Sequence, residues 1–136
     1  MGATTADKGR SLELPEAPGA VGRARDFARL ALTGFGWLPA ADPAAQTAAD
    51  DVLLLVSELV TNACRHGSAP YRLTLHPTRR GIRVEVTDTG DTLPAVGPDQ
   101  PTRPGGFGMR LIDTLAGSWG VTPHPTGKTV WCELTR

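Results

Sequence analysis

The stretch "VSELVTNACRHG", Val56 to Gly67, governs how the rest of the chain is read. Val56, Leu59, Val60 and Ala63 recur at the spacing of one helical face, and Gly67 supplies a C-terminal stop. Extended backwards, the pattern makes a helix from about Gln46 to His66. At about 100° per residue, Val52, Leu53, Val56, Leu59, Val60, Ala63 and Cys64 gather on one broad arc, which should face a core. Opposite it runs a stripe of Asp51, Leu55, Glu58, Asn62 and Arg65, flanked by Leu54 and His66. Most polar pairs four residues apart on a helix are simply solvated. Here leucines bracket Glu58 and Asn62, so the stripe is expected to lie under a ligand or a lid.

Working outward, "YRLTLH" (71–76) alternates Tyr71, Leu73 and Leu75 against Arg72, Thr74 and His76, and "IRVEVTD" (82–88) alternates Ile82, Val84 and Val86 against Arg83, Glu85 and Thr87. Strict alternation argues strands packed on one face only, and "PTRRG" between them suits a hairpin. Before the long helix, "SLELP" (11–15) is a short strand candidate, and "GAVGRARDFARLALT" (19–33) carries a helical pattern that stops at Gly34 and Gly36. Residues 89–106 are rich in Gly and Pro and aperiodic, which in a compact domain marks a lid or a disordered segment. "FGMRLIDTLA" resumes a helix through Met109, Ile112 and Leu115. "SWGVTPHPTGKTVWCELT" closes the chain as two strands with a turn near Thr126 and Gly127. Helices laid over one face of a mixed, mostly antiparallel sheet give a two-layer α/β sandwich. The expected division is a flexible tail over 1–10 and one domain over 11–136.

With 136 residues the chain suits one core. Fourteen basic and fourteen acidic side chains cancel, so no global charge draws it to nucleic acid or an anionic membrane. There is no apolar run long enough to cross a bilayer and no secretory leader pattern behind Met1. Cys64 and Cys132 lie far apart without metal-ligand spacing. These features set the expectation of a reduced cytoplasmic protein that contacts neither nucleic acid nor membrane directly.

Four short motifs then stand in order: "ELVTNACRH" (58–66), "DTG" (88–90), "GGFGMRLI" (105–112) and "GKTVWCEL" (127–134). Each is weak alone, but the order, with a long lid between the second and third, is specific. Together they resemble the N-box, adenine box, glycine-rich phosphate box and closing strand of the ATPase superfamily shared by DNA gyrase, the ninety-kilodalton heat-shock chaperone, sensor histidine kinases and MutL. The resemblance covers nearly the entire chain and implies the Bergerat-type ATP-binding fold. The chain also lacks a dimerisation helix with a phosphoacceptor His, and within the superfamily it is similar to the stand-alone bacterial anti-sigma factor serine kinases.

The resemblance implies ATP and Mg²⁺ as cofactors and assigns roles. Asn62 offers a neutral oxygen to Mg²⁺, and Glu58, one turn earlier, is the expected catalytic base. Asp88 is expected to accept the exocyclic amine of adenine, with Gly90 letting backbone approach the base. Gly105, Gly106, Phe107, Gly108 and Met109 would bring bare amides at a helix start to the phosphates, and Thr129 would support the Asp88 and adenine pair. His66 is read as complementing the helix dipole, and Trp119 and Trp131 as packing residues. Two departures from the family pattern touch the lid: "DTGDTLP" lacks a further glycine, and Met109 stands where Leu is common.

Two functions of different class follow. In the first, the chain is an ATP-dependent protein serine/threonine kinase that phosphorylates a small anti-sigma-factor antagonist and otherwise holds a sigma factor. In the second it is a non-catalytic ATP-binding module that only sequesters its partner. A detached catalytic domain of a sensor histidine kinase ranks third. The apolar first helix and initial strand would suit a homodimer.

Overall fold

Asp42 and Pro43 set where the longest helix begins. The Asp42 carboxylate accepts the Ala45 N–H at 2.8 Å, and Pro43, which has no N–H to leave unpaired, opens the first turn. The helix therefore starts three residues before Gln46. It ends as the sequence indicates, with the Gly67 N–H donating to the Ala63 carbonyl at 2.8 Å and Arg65 and His66 in the last turn.

A computed structural model describes residues 9–90 and 104–136, with side chains from 109 onward in the second segment. Residues 1–8 of the expected tail over 1–10, the body of the lid over 91–103 and the Phe107 side chain lie outside the described residues, while Arg10 already opens the first strand. The order of elements is β1 (Arg10–Leu14), α1 (Ala20–Gly34), α2 (Pro43–His66), β2 (Tyr71–Pro77), β3 (Gly81–Asp88), α3 (Pro104–Leu115), β4 (Ser118–His124) and β5 (Gly127–Thr135). The strands form one sheet in the order β1-β2-β3-β5-β4, and every pairing is antiparallel. The expected mixed sheet thus contains no parallel pair among the described residues.

Alternation decides which face is covered. Tyr71, Leu73 and Leu75 of β2, Ile82, Val84 and Val86 of β3, and Val130, Cys132 and Leu134 of β5 point inward and join the helices in one apolar cluster. Most outward-facing residues of β2, β3 and β5 are polar. Arg83 bonds Glu85 at 2.8 Å and Glu133 at 2.9 Å, and its guanidinium lies 4.2 Å from the centre of the Trp131 ring. Trp131 therefore packs under an arginine on the uncovered face, and Trp119 donates its N–H to Asp113 at 2.8 Å.

The helical projection needs two corrections. Cys64 is exposed, because the last turn of α2 from Cys64 to His66 is exposed throughout and the apolar arc ends at Ala63. Leu55, placed on the polar side, is fully buried. The cause is α3, whose fully buried Met109 and Ile112 join Leu55 in the core, so α2 buries a second flank besides the one on the sheet.

Candidate functional site

Asp88 ends β3 in phase with Ile82, Val84 and Val86, so its carboxylate points to the covered side of the sheet, where only 2% of the residue is exposed. The opposite residue on β5 is Lys128. Asp88 Oδ1 accepts the Gly90 N–H at 2.7 Å and the Lys128 ammonium at 3.0 Å. Oδ2 is also enclosed, yet no donor among the described residues reaches it. A buried oxygen left unbonded costs about 1–3 kcal/mol, which makes Oδ2 a place for a ligand's N–H.

Glycines let neighbouring segments crowd Asp88. A Cβ on Gly67 would overlap the Asp88 carboxylate, and one on Gly127 would overlap the Asp88 carbonyl oxygen. Thr89 ties the segments together: its N–H donates to the Ser68 carbonyl at 2.9 Å, and its hydroxyl reaches the Ser68 and Ala69 carbonyls at 3.0 Å. The end of α2 and the end of β3 are thereby joined. Asn62 lies five residues before Gly67, about 7.5 Å along the helix, at the same end of the molecule.

Asn62 is 8% exposed, and its amide N–H donates to the Met109 sulfur at 3.3 Å. What covers the Glu58 and Asn62 stripe is thus in part α3 itself. Glu58, one turn earlier on α2, is half-buried. The first turns of α3 contain Gly105, Gly106, Phe107 and Gly108. Pro104 brings no N–H, and those of Gly105 and Gly106 have no acceptor within the helix, so this end suits an anion.

Thr129 does not meet Asp88. It stands out of phase with Val130 and Cys132, and its hydroxyl bonds the Thr87 hydroxyl and the His124 ring, each at 2.7 Å, on the other face of the sheet. The residue that does meet Asp88 is Lys128, which the motif reading passed over. Its signal was available: position 128 shares the inward phase of Val130, Cys132 and Leu134, where a lysine demands a partner. No group of three His, Cys, Asp or Glu side chains among the described residues could hold a metal. A cleft of about 400 Å³, lined by Phe35, Trp37, Arg79, Arg80 and Arg136, opens at the Gly81 end of β3. That end lies about 23 Å along the strand from Asp88, and the cleft shares no residue with the site described above.

A family model described as a histidine kinase-like ATPase domain matches residues 14–134. Among solved structures, the RsbU and RsbW domains of Rv1364c from Mycobacterium tuberculosis align over 94% of this chain at 18% identity and a TM-score of 0.67. This chain spans 32% of that one, about a third of its length, and the likeness shows a shared fold. The blue-light activated histidine kinase of Erythrobacter litoralis EL346 aligns over 65% of this chain and 30% of its own, at 27% identity and a TM-score of 0.47. Its histidine kinase domain aligns over 90% of this chain and 61% of its own, at 22% and 0.48. Comparison with curated proteins gives no match.

Proposed function

The chain belongs to the histidine kinase-like ATPase domain family, and from that premise we propose that it binds Mg-ATP and works as an anti-sigma factor serine/threonine kinase. The single observation that carries the reading is the enclosed, unbonded Oδ2 of Asp88. An acceptor there takes the exocyclic amine of adenine and rejects guanine, which presents a carbonyl at that position. The N–H groups of Gly105 and Gly106 suit phosphate oxygens. Asn62 spends its N–H on Met109, which leaves Oδ1 as an oxygen donor to Mg²⁺. With no carboxylate cluster among the described residues, the metal would arrive with the nucleotide, whose phosphates and waters complete its ligands. Bound there, Mg²⁺ would offset charge on the phosphoryl oxygens.

In this reading Glu58 accepts the proton of a partner's serine hydroxyl as that oxygen bonds to the γ-phosphorus. The bond from phosphorus to the β–γ bridging oxygen breaks, and ADP leaves with the electron pair. The phosphorylated partner is a small anti-sigma-factor antagonist, and a sigma factor is held in its place when phosphate is not being passed on. The setting is cytoplasmic; no helix among the described residues is long and apolar enough to cross a membrane.

One observation favours the alternative of a pocket that holds nucleotide and partner without transfer: Asn62 is nearly closed off by Met109. A single assay separates the two. Incubated with labelled ATP, Mg²⁺ and a candidate antagonist, wild type passes label to serine, Glu58→Ala binds ATP without transfer, and Asn62→Ala loses metal-dependent binding. Equal transfer by Glu58→Ala removes Glu58 from the chemistry. A melting temperature that Mg-ATP at a hundred times any useful affinity leaves unmoved removes the nucleotide site, since such binding stabilises by about 2.7 kcal/mol.

A further inference from the structure

Lys128 and Asp88 form an ion pair whose side chains are only 4% and 1% exposed. Replacing such a pair by well-packed apolar side chains is often neutral or stabilising. Stability therefore does not explain why β5 carries a lysine in phase with Val130, Cys132 and Leu134, where an aliphatic residue would complete the core. The distribution of bonds on the carboxylate is more telling. Lys128 and the Gly90 N–H both occupy Oδ1, and Oδ2 stays enclosed and unbonded.

What Oδ2 can recognise depends on how the carboxylate is held. A carboxylate oxygen only accepts, and it fits an amine rather than a carbonyl. The Lys128 ammonium at 3.0 Å and the Gly90 N–H at 2.7 Å both engage Oδ1, which fixes the plane of the group and leaves Oδ2 as the oxygen open to a ligand. Without the ammonium a single N–H would hold Oδ1, and the group could turn and present a different oxygen or angle.

We propose that Lys128 is a specificity-determining positioning residue: by holding Oδ1 it keeps Oδ2 of Asp88 presented as the acceptor, so that the site takes a purine with an amine at C6 and refuses one with a carbonyl there. The inference rests on the nucleotide reading of the preceding subsection. Lys128 touches the carboxylate and not the base, so its loss changes which base is chosen more than whether the pocket forms.

The test titrates the full chain with Mg-ATP and with Mg-ITP, whose base differs at C6 by carrying the carbonyl. Wild type should prefer ATP by on the order of a hundredfold, the cost of setting a carbonyl against an enclosed acceptor. Lys128→Met should lower that preference by about tenfold or more. Lys128→Arg, which keeps the charge, should hold the preference even where both affinities fall. If Lys128→Met weakens both nucleotides by one factor and leaves the ratio alone, Lys128 is only a packing residue and the inference is overturned. The same follows if both variants lose the ratio alike. Failure of wild type to bind ATP, or to prefer it over ITP, strikes the nucleotide reading itself.

A measurement on wild type stands whether or not the methionine variant folds. The Lys128 ammonium should give a slowly exchanging ¹⁵N resonance that persists when Mg-ATP is added. If nucleotide instead releases it to rapid exchange with water, the lysine is a plug displaced by ligand, and the inference fails.

Discussion

At the scale of single residues, Gly67 holds its place by contact. The missing Cβ is what lets the end of α2 lie against the Asp88 carboxylate. Gly67→Ala must push that carboxylate out of position, so isothermal titration should find Mg-ATP binding weakened about tenfold or more, the worth of one misplaced hydrogen bond. Unchanged affinity would mean that the cradle yields without consequence. Asp88 was legible in the sequence because its strand ends on it and a Thr-Gly pair follows. Its true neighbour was not, because the hydroxyl of Thr129 suits adenine chemistry while Lys128 fits no motif. Phase along the strand was the better guide: position 128 points with Val130 and Cys132, and Thr129 points to the opposite face.

At the scale of elements, α2 buries two flanks. Its periodicity exposed the broad arc from Val52 to Ala63, but a second covered flank adds residues that look polar-side in projection, and nothing in the helix itself says what lies over them. Leu55 shows the difference. Fully enclosed in the cluster that includes Met109 and Ile112, its truncation to Ala should cost about 2–5 kcal/mol in urea unfolding. Leu54→Ala, at a site 36% exposed, should change stability by no more than about 0.5 kcal/mol. Comparable losses in the two variants would contradict the packing of α3 on this flank. The start of α2 lies three residues before its periodic pattern for a related reason: Ala44 and Ala45 carry no apolar period, and the signal is the cap, an Asp before a Pro.

At the scale of the molecule, the sheet separates a polar open face from a covered one, and the two thiols differ in their access to solvent. Cys64 is exposed in the last turn of α2. Cys132 faces the core, and burial, with Glu133 adding and Arg83 opposing, pushes its thiol up to about 12. A thiol reagent near neutral pH should therefore label one cysteine in the native chain and two in denaturant, with the second reacting only through global unfolding. Rapid labelling of both without denaturant would refute the packing of β5. Alternation told each strand which face is wet, and so gave the two-layer class. It could not give the order β1-β2-β3-β5-β4, because the side-chain pattern of a strand does not name its neighbours.

Gly67 and Gly90 lie against the Asp88 carboxylate, and Gly127 lies against its backbone carbonyl. Heredity inherits that crowding as a constraint. A descendant cannot enlarge the residue at 67 while keeping an acid at 88, nor the residue at 127 whatever stands at 88, so sites 67 and 88 should drift together or not at all, and a purine preference once lost here would need several simultaneous changes to return.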